Sequence, residues 1–141
     1  MSTSTSPRPL SKRDFESLSE FRYQLRRFER FSENAAQAEG ITPMQYFVLL
    51  HIKGTPNRSW ASVGELAERF HIKPHSMVTL VSRCEAAELV VRRPSDTDRR
   101  LVEVHLLPKG EQVLARLAAL HRAELKLLDS AFQKNLVNYH E

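Results

Sequence analysis

Residues 62–106 read SVGELAERFHIKPHSMVTLVSRCEAAELVVRRPSDTDRRLVEVHL, and this stretch decides the fold. Ser62 with Glu65 three residues later is a capping box, in which each side chain accepts from the other residue's otherwise orphaned backbone N–H. The spacing predicts a helix from Val63 to about Phe70 that buries Val63, Leu66, Ala67 and Phe70. His71, Ile72 and Lys73 break it. Pro74 suits the first position of a second helix, which reaches about Ala87 and turns Met77, Leu80, Val81 and Cys84 inward. Two short helices with three residues between them form a helix-turn-helix. After Leu89 the period changes from helical to alternating. Val90 to Arg92 reads as a strand, Pro94 to Asp98 as a turn, and Leu101 to Leu106, alternating around Val102, Val104 and Leu106, as the returning strand. A helix-turn-helix followed by a hairpin is a winged helix, with the hairpin as the wing.

Outward from this stretch the chain becomes long-helical. Between Leu10 and Glu39, and again from Glu111 onward, there is neither Gly nor Pro. Phe15, Leu18, Phe21, Leu25, Phe28 and Phe31 recur at steps of three and four, which predicts a helix from about Ser11 to Glu39 with Gly40 just past its end. Thr42 and Pro43 then supply a cap and a first-turn proline for a helix to about Lys53, with Met44, Phe47, Val48, Leu50 and Ile52 as its apolar residues. Pro108 opens a last helix carrying Val113, Leu114, Leu117, Leu120 and Leu125 and continuing through Leu128, Phe132 and Leu136. The fold class is therefore mainly α with a small β-hairpin wing. The outer helices carry more apolar surface than a small central core absorbs, and a two-fold dimer is the simplest way to cover it. Residues 1–10 are expected to be a disordered arm. Residues 11–141 are expected to be one domain, with 11–40 and 108–141 as dimerisation helices around a 43–106 winged helix-turn-helix lobe.

Composition excludes several classes. Apolar residues are 41% of the 141 and charged residues 27%, a globular balance in a chain sized for one domain. Lys and Arg number 21 against 17 Asp and Glu, a mild excess that suits a polyanionic partner. The single cysteine rules out a disulfide framework or a Cys-rich zinc site. No apolar run approaches the roughly 20 residues of a membrane span. The polar start lacks the apolar stretch of a secretory signal, so a cytoplasmic protein is expected. His71 and His75 are four apart, but Pro74 breaks their register and no carboxylate completes a metal set; His51, His105, His121 and His140 are scattered. Cys84 sits on an apolar helical stripe and reads as structural. There is no nucleophile elbow and no Gly-rich phosphate loop, so neither an enzyme nor a cofactor is expected.

The order of these motifs resembles the MarR (multiple-antibiotic-resistance regulator) family of bacterial transcription factors over about residues 15–139. The family's wing signature reads D-x-R, five residues, L-T, two residues, G. Here Asp98-Arg99-Arg100 is followed by Leu101 to His105 and then by Leu106-Leu107-Pro108-Lys109-Gly110, which matches with one change. Leu107 stands where the family has Thr, so the cap of the last helix should be weaker by about 1 kcal/mol. Val63-Gly64-Glu65-Leu66-Ala67-Glu68-Arg69 looks like the first helix of the family's helix-turn-helix. Glu88 stands where the family often has Gly, which should strain the turn into the wing.

The resemblance implies a homodimer that reads a pseudo-palindromic operator, more often as a repressor, with half-sites about 34 Å apart. With Met77, Leu80, Val81 and Cys84 inward, the opposite face of that helix presents His75, Ser76, Val78, Thr79, Ser82 and Arg83, with Lys73 just before it. Arg83 suits a guanine edge or a phosphate, and Val78 a thymine methyl. Arg92, Arg93, Arg99 and Arg100 make the hairpin basic. By resemblance Asp98 orients Arg100 or a neighbour, and Arg99 or Arg100 reaches a minor groove. Between Arg69 and Arg100, seven basic residues face four acidic ones, which predicts salt-sensitive binding. Many family members take small aromatic or phenolic ligands, and Arg22, Tyr23, Arg26, Tyr46, His51 and Trp60 are the candidates to hold one. The same residues also suit plain packing. A winged-helix protein-interaction module and a nonspecific nucleoid-type DNA binder are the alternative functions. The basic hairpin argues against the first, and a measurable site preference would separate the regulator from the second.

Overall fold

The computed structural model describes residues 8–136. Eight elements follow one another: α1 (Lys12–Ala38), α2 (Pro43–Lys53), β1 (Trp60–Ser62), α3 (Val63–Phe70), α4 (Pro74–Ala86), β2 (Val90–Pro94), β3 (Val102–Leu106) and α5 (Pro108–Leu136). Residues 1–7 of the expected arm, and 137–141 of the expected last helix, lie outside the described residues. The chain divides into two units, one of residues 32–122 and one that pairs the start of the chain through Phe31 with the end from Ala123. The divisions fall within α1 and α5.

Three helix ends in the 32–122 unit share one device. Gly40 has φ +77°, Ile41 N–H donates to the Ala36 carbonyl at 3.1 Å, and Gly40 N–H donates to Gln37 at 2.9 Å. This is a Schellman closure, which satisfies carbonyls that the helix leaves orphaned. His71 (φ +54°) closes α3 through Ile72 N–H to Ala67, and Glu88 (φ +62°) closes α4 through Leu89 N–H to Cys84. Only the first of these has the glycine that adopts the left-handed conformation freely. Glu88 bears the strain expected from its replacing a glycine. The helix starts are capped just as locally. Ser62 Oγ accepts from Glu65 N–H at 3.1 Å and Glu65 Oε1 from Ser62 N–H at 3.3 Å. Thr42 and Gln45 form a second capping box that the sequence reading did not include.

The core of this unit gathers side chains from every element. Leu49 and Ile52 of α2, Leu66 of α3, Met77, Val81 and Cys84 of α4, Val90 and Val104 of the wing, and Leu117 of α5 are all fully buried. The inward face of α4 is the one expected, with Leu80 partly buried at its margin. In α2 the expectation is corrected. Tyr46, Val48, Leu49 and Ile52 are buried, whereas Met44 and Leu50 are exposed. The expected hairpin is present but belongs to a three-stranded antiparallel sheet of order β1-β3-β2. Trp60, Ala61 and Ser62 pair with His105, Val104 and Glu103. Three residues are too few to display an alternating pattern, so β1 exists only because β3 offers it an edge.

In the other unit, the rings of Phe21 and Phe132 stack at 4.5 Å, and Ser17 and Leu128 are buried. Phe15, Leu18, Tyr23, Leu125 and Leu127 remain exposed. Two of the six apolar residues of the α1 stripe, Phe15 and Leu18, are thus exposed in the single chain.

Candidate nucleic-acid interface

The candidate face is built by α4 and the hairpin. Lys73 ends the turn in extended conformation, and Pro74 starts α4 with its φ already helical. Burial of Met77, Val81 and Cys84 then turns the opposite side outward. Lys73, His75, Ser76, Val78, Thr79, Ser82 and Arg83 are all exposed. The Thr79 hydroxyl donates back to the His75 carbonyl at 3.2 Å. A groove of about 500 Å³ runs beside this face, bordered by Thr42, Met44, Gln45, His75, Thr79 and Arg83.

The hairpin tip is organised by its own side chains. Ser95 Oγ accepts from Thr97 and Asp98 N–H at 3.3 and 3.2 Å, and Leu101 N–H donates to the Asp98 carbonyl at 3.0 Å. Asp98 Oδ1 accepts from Arg100 N–H at 3.0 Å and from Arg100 Nε at 3.3 Å. Arg100 is held back along the turn. Arg93 and Arg99 are exposed and make no ion pair among the described residues.

Arg92 is placed differently from the other hairpin arginines. Its Nη2 donates to the Val78 carbonyl at 2.7 Å and to Ser82 Oγ at 2.6 Å, and its Nη1 lies 3.4 Å from Glu85 Oε1. Its backbone N–H donates to the other oxygen of Glu85 at 2.9 Å. The arginine is therefore turned onto α4, where the Ser82 hydroxyl serves as one of its acceptors. Sequence reasoning missed Glu85, because its contacts are with a residue on another element and leave no local pattern.

The six ligand candidates are divided between the two units. Arg22, Tyr23 and Arg26 are exposed on α1 in the terminal unit. Tyr46 is buried in the core of the other unit, its ring stacked on His121 at 4.7 Å, and burial pushes its phenol up. His121 in turn bonds Ser32 Oγ at 2.8 Å and the Leu117 carbonyl at 2.7 Å. Trp60 lies in β1 under the Arg58 guanidinium, 4.0 Å from the ring centre, and Arg58 also pairs with Glu65. His51 lines a cavity of about 550 Å³ with Thr55, Arg58, Glu65, Arg69 and His71. Burial, and then the charge of Arg69, hold the His51 imidazole below its ordinary pKa.

No group of three or more metal-ligating side chains is placed to hold an ion among the described residues. No described helix is long and apolar enough to cross a membrane. Cys84 is buried, and desolvation pushes its thiol up to about 11, which suppresses the reactive thiolate.

The model of the MarR family matches residues 39–101, the segment that holds α2 through the hairpin tip. A protein of Thauera aromatica named for a transcriptional regulatory role on the hcr operon is 35% identical over 96 residues, 68% of this chain and 56% of the relative. The HTH-type transcriptional repressor MdtR of Bacillus subtilis is 32% identical over 96 residues, 65% of this chain and 60% of its own. The chain thus spans less than two thirds of the length of either relative. A MarR family protein from Bacillus stearothermophilus superposes with a TM-score of 0.71 at 23% identity, covering 94% of this chain and 96% of that one. That likeness establishes the winged-helix fold. The family and these relatives are regulators, not enzymes.

Proposed function

Through residues 39–101 the chain belongs to the MarR family, and from that premise we propose that it is a sequence-specific DNA-binding transcriptional regulator acting as a homodimer. The observation that carries the reading is the segregation of α4. Met77, Val81 and Cys84 on its inward side are fully buried, and its outward side, polar apart from Val78, lies beside a wing whose Arg93 and Arg99 remain exposed. Each subunit places α4 in a major groove, where Arg83, His75, Ser76 and Thr79 reach base edges or phosphates. Arg99 enters the adjacent minor groove, drawn by its concentrated negative potential. The uncovered apolar residues of α1 and α5, Phe15, Leu18, Leu125 and Leu127, meet a second copy. The name of the relative MdtR supports repression as the sign of regulation. Release by a small aromatic acid completes the reading, and calorimetry with salicylate at millimolar concentration tests that part. Absence of heat removes this class of effector.

The direct test is a fluorescence-anisotropy titration on the DNA upstream of the protein's own gene and on an unrelated duplex, at two salt concentrations. The regulator binds the first more tightly and weakens steeply with salt. Arg83→Ala lowers affinity for the preferred site by about 1–3 kcal/mol. Arg99→Ala weakens both duplexes and flattens the salt response by about one counterion per subunit. Equal binding of the two duplexes points to a nucleoid-type binder, and no binding to either sinks the DNA reading.

A further inference from the structure

We infer that Arg92 and Glu85 form a strut that sets the position of the wing relative to α4, so that Arg92 is a positioning residue for DNA recognition rather than a phosphate contact. The inference rests on the DNA-binding reading above and concerns the same face. Val78, Ser82 and Glu85 lie at i, i+4 and i+7 on α4 and so form one stripe along the helix. Arg92 engages all three, through a backbone carbonyl, a hydroxyl and a carboxylate. A guanidinium presents its donors in a fixed planar fork, so three acceptors on one rigid helix define where the arginine sits.

The other end of the strut is equally constrained. Arg92 pairs with Val104 in the middle of the β2–β3 ladder, and β2 is an edge of the sheet. Its N–H bonds Glu85 instead of a neighbouring strand. Glu85 therefore covers a donor of the free edge and neutralises the guanidinium at the same time. Both side chains are partly shielded, 27% exposed for Arg92 and 39% for Glu85, which protects the pair from full solvent screening. One anchor of the strut is the carbonyl of Val78, whose own side chain faces outward on the reading surface. The strut thus connects the helix that meets bases to the hairpin that carries Arg99. It uses Ser82 Oγ as an acceptor, while the side chains of His75, Ser76, Val78, Thr79 and Arg83 face outward and, among the described residues, make no bond to the strut side chains.

Two opposed expectations separate this role from a phosphate contact. If Arg92 touched DNA, Arg92→Lys would keep the charge and most of the binding, and Glu85→Gln would help binding by removing a negative charge near the DNA. If the pair is a strut, Lys cannot reproduce the three-way fork, and Glu85→Gln weakens discrimination while strengthening nonspecific attraction. The probe is the duplex that the wild-type protein enriches from a random-sequence library, measured against a scrambled duplex of the same composition. Arg92→Lys and Glu85→Gln each lower the ratio of the two affinities by about tenfold, the loss of one charge-assisted hydrogen bond. Arg92→Lys leaves the salt slope unchanged. Ser82→Ala, which removes one neutral acceptor, lowers the ratio by a smaller factor with melting unchanged, so the reading survives even where the charged variants lose stability. Discrimination by all three variants within twofold of wild type overturns the strut while leaving the DNA-binding reading intact. Near-wild-type binding of both duplexes by Arg92→Lys, with tighter binding of both by Glu85→Gln, also overturns it, in favour of a phosphate contact. Failure of the wild-type protein to enrich any duplex overturns both.

Discussion

Gly110→Ala should destabilise the protein through a single close approach. Gly110 lies in the first turn of α5, where a methyl group would come within 2.1 Å of the Leu89 carbonyl oxygen, 3.0 Å of its carbon and 3.3 Å of its Cα. Comfortable nonbonded contact needs more than 3 Å, so one backbone must retreat by about 1 Å. Neither has room to do so. Leu89 is fully buried, and its N–H is tied to Cys84. Its carbonyl also accepts from Leu107 N–H at 3.0 Å. Overpacking of this kind costs about 1–3 kcal/mol, and weakening the Leu107 bond adds about 1 kcal/mol. The better helix propensity of Ala returns up to about 1 kcal/mol, leaving a net loss of about 1–4 kcal/mol. For a chain of this length that lowers the melting temperature by about 3–12 °C. Thermal unfolding followed by helical circular dichroism, at one protein concentration for all variants, measures it. Gly64→Ala is the internal control. Its methyl would find nothing nearer than Ser62 Oγ at 3.9 Å, so α3 should be unchanged or slightly stabilised. A Gly110→Ala protein that melts within a degree of wild type, or a Gly64→Ala protein that falls equally, would refute the reasoning from close approach.

Three further outcomes are expected. Glu88→Gly relieves a left-handed backbone at φ +62° and should raise stability by about 0.5–1 kcal/mol, read as the shift in a urea midpoint. Cys84, buried and with its thiol pushed up to about 11, should resist a thiol-specific reagent at neutral pH until the protein is unfolded; rapid labelling of the folded protein contradicts its placement. Glu39 is held below its ordinary value of 4.5, first by hydrogen bonds from the Arg116 guanidinium at 2.9 Å and then by its charge. Its contribution to stability is therefore complete above the unfolded pKa and lost as pH falls through the lower folded value. Stability measured against pH should decline below about 4.5 more steeply in wild type than in Glu39→Gln.

The exposed side of α4 was legible because burial of a four-residue stripe dictates what the other side presents. Met77, Val81 and Cys84 needed only helical spacing to be read as inward, and the outward set followed without tertiary information. The roles of individual residues within that set were not legible. Arg92 and Arg99 look alike in the sequence, both arginines of one hairpin. The structure turns one onto α4 and leaves the other exposed, because Glu85 and Ser82 lie opposite β2, whereas Arg99 makes no ion pair among the described residues. Among the ligand candidates, Tyr46 shows the same limit. An aromatic residue on an amphipathic helix is equally suited to a wall and to a core, and its stacking on His121, 75 residues away, decides for the core.

The sequence by itself determined the helices, the capping box of α3 and the inward faces of α3 and α4, since these depend on neighbours three or four residues apart. Ser62 with Glu65, Pro74 with the stripe behind it, and the chain reversal between Pro94 and Leu101 are all of this local kind. Only the tertiary structure decided that Trp60 to Ser62 become a strand, that Gly110 must lack a side chain, and that Arg92 braces the wing. Each of these depends on a partner brought close by folding: β3 for the strand, the Leu89 carbonyl for the glycine, and the α4 stripe for the arginine. Contacts between elements carry no periodicity, so they enter the chain as single residues whose reason appears only once the packing brings the partner within reach.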